Sequence, residues 1–167
     1  MLTDYLARTT PLGVDLHVIL FRVSLADLHA DLDEFDKAEV LLRKAADDLR
    51  NREVEPRFLN GTLRQLAGLL KRSGKLDQAE ETARERLEFV RQTFGMEDYY
   101  TLHAMRGLAW IVKDRSPQGL AEAEDLLRDA IEVFRRDRGE DHRETRETMR
   151  LLEVILEMGG RLDDGEP

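Results

Sequence analysis

A motif that opens with Leu-Ala and closes with Ala-Glu occurs three times along the chain, and it restricts the fold more than any other feature. The copies are "LADLHADLDEFDKAE" at 25–39, "LAGLLKRSGKLDQAE" at 66–80 and "LAWIVKDRSPQGLAEAE" at 108–124. The motif recurs about every 42 residues, and self-similarity at a fixed period of this length is typical of repeat architectures. The sequence therefore predicts a series of similar structural units.

Each copy predicts two packed helices, because its apolar residues recur at helical spacing. Small residues are expected where the two helices cross, since they allow a close approach. These are Ala26, Ala67 and Ala109 in the first helices and Ala38, Ala79 and Ala123 in the second helices. No stretch alternates polar and apolar residues for long enough to predict a strand. The predicted fold class is all-α.

The segments between copies contain helix stop and start signals. In "GMEDYYT" (95–101) and "GEDHRET" (139–145), the glycine is predicted to end one helix in a left-handed conformation. Asp98 is predicted to cap the following helix, and Ser116 followed by Pro117 predicts a cap and first helical position in the third copy. The apolar stripe after 145 predicts the first helix of a fourth copy.

We expect one domain, 1–167. The expected parts are an N-terminal segment at 1–12, repeats at 13–53, 54–95 and 96–139, and a half repeat with a C-terminal tail at 140–167.

Composition and missing motifs exclude several classes of function. The chain has no cysteine, so disulfides and thiolate metal sites are excluded. A net charge of −9 argues against a nucleic-acid partner. There is no phosphate-binding glycine loop, HExxH pair or histidine pair at ligand spacing, so we predict no catalytic residue, metal or cofactor. Without a leader or a long apolar run, we expect a cytoplasmic protein with no membrane partner.

The repeat motif and the linker "GEDHRET" resemble tetratricopeptide repeats (TPR) in the longer form found in kinesin light chains, over about residues 14–164. The resemblance implies a right-handed α-solenoid of about three and a half hairpins, or about seven helices. It implies a non-catalytic protein-interaction scaffold whose first helices line a concave groove. Arg86 departs from the family pattern, which usually has a small residue there. Arg64-Gln65 and Arg106-Gly107 stand where the family often has asparagines.

Carried over to this sequence, the resemblance predicts a basic groove on an acidic protein. The predicted peptide-binding residues are Arg64, Lys71, His103, Arg106, Trp110, Lys113 and Arg150. The four cations at 64, 71, 106 and 113 have no acidic residue three or four positions away, which suggests that they are available to a partner. Trp110 follows Arg106 by one helical turn and is predicted to contact its guanidinium. We expect an acidic peptide as partner; a merely solvated basic face is the alternative.

The segment 149–158 is apolar nearly all round the predicted helix, whereas a terminal repeat normally turns a polar face to water. The sequence therefore predicts a homodimer interface formed by Leu151, Val154, Ile155 and Met158. The alternative is that a further helix of a longer protein covers this segment. Two other functions stay open: a structural assembler that associates through this helix, and a regulatory domain of a larger enzyme or sensor system.

Overall fold

The computed structural model describes residues 15–163, with side chains described up to residue 160. Over that range it contains seven α-helices and no strand, which confirms the predicted all-α class. The helices are α1 (Leu16–Asp31), α2 (Phe35–Arg50), α3 (Pro56–Arg72), α4 (Leu76–Phe94), α5 (Tyr99–Val112), α6 (Pro117–Arg138) and α7 (Arg143–Asp163). The predicted N-terminal segment 1–12 and residues 164–167 of the predicted tail lie outside the described residues.

The helices begin at the cap residues that the sequence indicated. The Ser116 hydroxyl accepts a hydrogen bond from Gly119 N at 3.1 Å, and Pro117 occupies the first turn of α6. Asp98 caps α5 by accepting from Tyr100 N at 2.8 Å. Because the first N–H groups of a helix have no intrahelical acceptor, these contacts fix where α5 and α6 start.

The linkers before α5 and α7 share a contact that the motif comparison did not identify. Gly95 and Gly139 have φ values of 97° and 87°, as predicted for residues that end a helix. Thr101 Oγ1 donates to the carbonyl of Gly95 at 2.7 Å, and Thr145 Oγ1 donates to that of Gly139 at 2.8 Å. Both threonines are fully buried. The two linkers are therefore held by the same hydrogen bond, one repeat apart.

The chain divides into two compact units, and the boundary falls within α3 after Thr62. In the first unit, α1 packs against α2. Ala26 and Ala38 are buried, as predicted for the positions where the two helices cross. An ion pair between Arg22 and Asp48 also joins the two helices.

In the second unit, which begins at Leu63, α4 packs on α5, α5 on α6, and α6 on α7. A core cluster joins α5 and α6 through Leu102, Met105, Ala130 and Phe134. Ala109 and Ala123 are fully buried, which confirms their predicted place at a helix crossing. This packing fixes the register of α5 against its neighbours and so positions the side chains on its other side.

The structure corrects one residue of the predicted dimer interface. Ile155 is 2% exposed, so its side chain is already buried within the chain and is not available to a second copy. It lies two turns after Thr148, which is also buried, and the two residues share the packed side of α7. Val154 is exposed, while Leu151 and Met158 are partly exposed. An apolar run around a helix therefore still contains one side that packs internally.

Candidate functional site

Side chains of α3, α5 and α7 contact one another in the second unit, and we call this surface the α3–α5–α7 face. Lys71 at the end of α3 donates to Asp114, which follows α5, at 2.7 Å. Arg106 on α5 donates to Glu147 on α7 at 3.2 Å, and Tyr99 Oη donates to Glu144 at 3.3 Å. The predicted first helices therefore share one surface in this unit.

At one end of this face lies the lysine–tryptophan cluster, which consists of Lys71, Trp110, Lys113 and Asp114. Lys71 Nζ lies 3.7 Å from the centroid of the Trp110 ring and also donates to the Trp110 carbonyl. Lys113 Nζ donates to Asp114 Oδ1 at 2.5 Å. The predicted contact of Trp110 with Arg106 is wrong, because the cation that lies over the Trp110 ring is Lys71 of α3.

In the lysine–tryptophan cluster, the carboxylate of Asp114 offsets much of the positive charge of Lys71 and Lys113. Burial lowers the pKa of Lys71, and the hydrogen bond to Asp114 opposes that shift. Burial alone would raise the pKa of Asp114, but hydrogen bonds from Lys113 and Lys71 hold it below its usual value. Lys71, Lys113 and Arg106 therefore have acidic partners within the protein, which the spacing along each helix did not indicate. Their partners come from other helices or from the adjacent residue.

Further along the face lies the arginine cluster, which consists of Arg64, Arg86 and Arg106. Arg86 extends from α4 and is only 5% exposed. Burial, followed by the charges of Arg64 and Arg106, lowers the pKa of Arg86 to about 10. Both charged groups that shift this pKa are cations. The cluster therefore combines three guanidinium groups, one of which is buried.

A glycine on α5 makes room for the buried guanidinium. A Cβ atom placed on Gly107 would lie 3.2 Å from Arg86 Nη1, closer than nine in ten Cβ contacts in proteins, so Arg86 would have to shift by a few tenths of an ångström. Gly107 lies in the middle of α5, where glycine is unfavourable for the helix by about 0.5–1 kcal/mol relative to alanine. The residue is therefore explained by the position of Arg86.

His103 is neutral at physiological pH although its side chain lies beside two carboxylates. Burial and the positive charge of Arg106 lower its pKa to about 4, against the smaller opposing effect of Glu144. The neutral ring accepts a hydrogen bond at Nδ1 from Arg106 Nη2, 3.1 Å away. His103 therefore orients Arg106 without adding a charge to the face.

The remaining two predicted residues are exposed. Arg64 lies on α3 and Arg150 on α7, and neither forms an ion pair with any residue of the described range. Arg64 belongs to the arginine cluster through its charge interaction with Arg86. The structure thus brings five of the seven predicted residues into two clusters, and His103 is hydrogen-bonded to one of them, Arg106.

Sequence reasoning did not assign Arg86 to this surface, although a signal was present. Arg86 breaks the small-residue pattern of the second helices, and a long cation at such a position must find space beyond its own helix. Glu147 was also missed as the partner of Arg106, because the two residues lie 41 positions apart on different helices. Local spacing carries no information about such a pair.

The chemistry of the face suits an anion and offers no site for a metal. Within the described residues, no group of three or more histidine and acidic side chains is placed to hold a metal ion. None of the helices in that range is long and apolar enough to cross a membrane.

Many solved structures are similar to this chain, and three of them illustrate the likeness. BtubC (BKLC) from P. vanneervenii is 28% identical with a TM-score of 0.72, and the match covers 83% of this chain and 54% of that protein. Two structures of a kinesin light chain with nearly identical TPR-like repeats from Podosopora anserina are each 15% identical, with TM-scores of 0.74 and 0.73. Each of these two matches covers 87% of this chain, and the matched part makes up 68% and 69% of the two Podosopora anserina chains.

The chain thus spans about half the length of the P. vanneervenii protein. At 15% identity, the likeness to the Podosopora anserina structures concerns the fold alone. No family model and no curated protein matches the sequence.

Proposed function

We propose that this chain, whose all-α repeat fold is similar to that of kinesin light chain TPR-like repeats, is a protein-interaction scaffold whose α3–α5–α7 face binds an acidic peptide segment. The observation that carries this proposal is the arginine cluster. In a chain with a net charge of −9, three guanidinium groups lie close enough for two of them to lower the pKa of the third.

Both components of a peptide site are present on this face. Arg64 is exposed and Arg106 is partly exposed, so their guanidinium groups can donate charge-assisted hydrogen bonds to carboxylates. Trp110 is 40% exposed, which leaves an aromatic surface for an apolar side chain of the peptide. A peptide with acidic residues and an apolar anchor would match this combination.

The expected affinity is micromolar. Each charge-assisted hydrogen bond contributes at most about 1.5–3 kcal/mol, and less where water screens it. Ordering an extended peptide opposes these gains, whereas a Kd of 1 μM corresponds to only about 8 kcal/mol in total. Added salt should weaken the binding because exposed charges are screened.

The test measures fluorescence anisotropy of labelled oligo-glutamate, oligo-glutamine and oligo-lysine peptides of equal length. We expect oligo-glutamate to bind most tightly, and the double variant Arg64→Glu/Arg106→Glu to weaken it by about tenfold or more. The matched control is Arg84→Glu/Arg128→Glu, which makes the same change in net charge on α4 and α6. Equal weakening by the two double variants would contradict the proposal, since it would mean that only net charge matters.

A second candidate function is self-association through α7. The observation that favours it is an open cleft of about 690 Å³ between α6 and α7, lined in part by Met149, Leu152 and Leu156. Val154 and Leu156 are among the exposed large apolar residues. Exposed apolar side chains on α7 favour a second copy of the chain, for which Leu151, Val154 and Met158, which lie outside the lining of this cleft, remain the proposed contacts.

Light scattering over a range of concentrations tests this second function. We expect the mass to rise with concentration in the parent protein and to stay at the monomer value in Val154→Glu/Met158→Glu. Arg128→Glu serves as a control for added negative charge at the exposed rim of the cleft. A monomer at every concentration would rule out self-association and leave the peptide-binding proposal intact.

A further inference from the structure

We infer that the arginine cluster is a subsite for a phosphate monoester dianion, the group carried by a phosphorylated serine or threonine of a bound peptide. Arg64 and Arg106 would contact the phosphate oxygens, and the buried Arg86 would add its charge from the α4 side. The inference rests on the proposed function in placing this group on a peptide, but the subsite itself can be tested without one.

The position of Arg86 is the first step. Its side chain is 5% exposed and reaches Gly107 on the adjacent helix, so its charge is held in place at the α4–α5 contact. A buried cation beside two further cations is electrostatically unfavourable. A bound anion would reverse the sign of that interaction, and its effect would be strong because Arg86 is shielded from water.

The second step concerns how far the protein neutralises the cluster. Arg106 donates to Glu147, but Glu147 also accepts a hydrogen bond from Arg143 Nε at 2.7 Å. One carboxylate is thus shared by two arginines. His103, the other partner of Arg106, is neutral and contributes no negative charge. The negative charge of Glu147 is therefore divided between Arg106 and Arg143, and Arg106 is only partly neutralised by it.

The third step distinguishes a phosphate from a carboxylate. At neutral pH a phosphate monoester carries about −1.5 to −2 charges and three acceptor oxygens, whereas an acidic side chain carries one charge. Guanidinium groups bind phosphate oxygens in a bidentate manner, and two of them on adjacent helices can bind one phosphate from two sides. The charge of a dianion therefore matches the cluster better than that of a single carboxylate.

The first experiment measures thermal unfolding at about pH 7.5, where the phosphate is mostly a dianion. Inorganic phosphate is compared with sodium chloride at matched ionic strength for the parent protein, Arg64→Gln, Arg86→Met and the control Arg84→Gln. We expect phosphate to raise Tm beyond the chloride effect in the parent protein and in Arg84→Gln. The additional rise should be lost in Arg64→Gln and Arg86→Met.

Two outcomes of this experiment would overturn the inference. One is that phosphate raises Tm no more than chloride does. The other is that phosphate raises Tm equally in all four proteins, which would locate the anion elsewhere. Arg64 is exposed, so its variant keeps the test valid if Arg86→Met does not fold.

The second experiment compares three labelled peptides that differ at one residue, which is phosphoserine, glutamate or serine. We expect the phosphoserine peptide to bind at least about fivefold more tightly than the glutamate peptide, and the preference to disappear in Arg86→Met. Equal binding of the phosphoserine and glutamate peptides would overturn the dianion preference. If no peptide binds although phosphate raises Tm, the proposed peptide function fails and the anion subsite stands.

Discussion

The lysine–tryptophan cluster and the arginine cluster lie on the same face of the second unit, but they treat positive charge in opposite ways. In the first, Asp114 accepts hydrogen bonds from both Lys71 and Lys113, and the Trp110 ring lies against the Lys71 ammonium group. In the second, the charged groups that shift the pKa of Arg86 are two further arginines. In the first cluster both lysines share one acidic partner, whereas in the second the buried cation lies beside two further cations.

This difference teaches that a basic stripe in a sequence is not one binding surface. Cations that already have a protein partner must exchange it for a ligand, so they contribute little net binding energy. Cations held beside other cations gain more when an anion arrives. We therefore expect the arginine cluster, and not the lysine–tryptophan cluster, to govern ligand affinity.

The largest predicted effect is the pH dependence caused by His103 in the arginine-rich part of the face. Its pKa is lowered from 6.5 to about 4, so the unfolded chain binds a proton more readily than the folded protein between these values. Stability should therefore fall as the pH is lowered from about 6.5 to about 4. The contribution of this residue is up to about 3 kcal/mol.

Urea unfolding of the parent protein and His103→Gln over pH 7 to 4 measures this contribution as the difference between the two curves. Carboxylates with lowered pKa values, such as Glu144 and Glu147, also lose stabilising interactions on acidification, but they are present in both proteins and largely cancel. Parallel curves for the parent protein and His103→Gln would contradict the prediction.

The second-largest predicted effect comes from removing the acidic partner of the two lysines, which should make the lysine–tryptophan cluster resemble the arginine cluster. Asp114→Asn removes the negative charge shared by Lys71 and Lys113, and we expect it to lower the free energy of unfolding by about 1–2 kcal/mol. The positive charge that Asp114 no longer neutralises should also increase affinity for oligo-glutamate by about threefold. Urea unfolding and fluorescence anisotropy measure the two effects.

Glu122→Gln is a suitable comparison for Asp114→Asn, because Glu122 also pairs with a cation across two helices but lies on α6. We expect a smaller loss of stability and no gain in affinity. If Asp114→Asn binds oligo-glutamate more weakly than the parent protein, the two clusters do not differ in the way described.

The smallest effect concerns the space around the buried arginine. Gly68→Ala should stabilise α3 by about 0.5–1 kcal/mol, because nothing lies within 4 Å of its added Cβ. Gly107→Ala should stabilise less or not at all, since Arg86 must shift to accept the new methyl group. In an Arg86→Met background, Gly107→Ala should recover the full gain.

Urea unfolding of Gly107→Ala, Arg86→Met and their combination gives the coupling energy between the two positions. We expect about 0.5–1 kcal/mol. Additive effects would mean that Gly107 is not there to accommodate Arg86.

The sequence was sufficient for the parts of the fold that local patterns determine. Ser116, Pro117 and Asp98 indicated where helices start, because a cap acts on residues two or three positions away. Ala109 and Ala123 indicated a helix crossing, because only small side chains allow close approach. The same local reasoning failed for Ile155, where an apolar residue in an apolar run gave no sign of which side of α7 is buried.

The candidate site was predictable in its members but not in its connections. Five of the seven groove residues lie in the two clusters, because repeat register alone assigns them to first helices. Lys71 lies 43 positions from Asp114, and no pattern along one helix indicates that pair. The role of Arg86 also depended on the gap that Gly107 leaves on the next helix.

By itself, the sequence determined the helices, their caps, the repeat and the kind of side chain offered at each position, because these depend on contacts between near neighbours in the chain. Only the tertiary structure decided which cations lie against carboxylates and which lie beside other cations. Electrostatic energy depends on distance in space and on burial, and both are set by how α3, α4, α5 and α7 pack together.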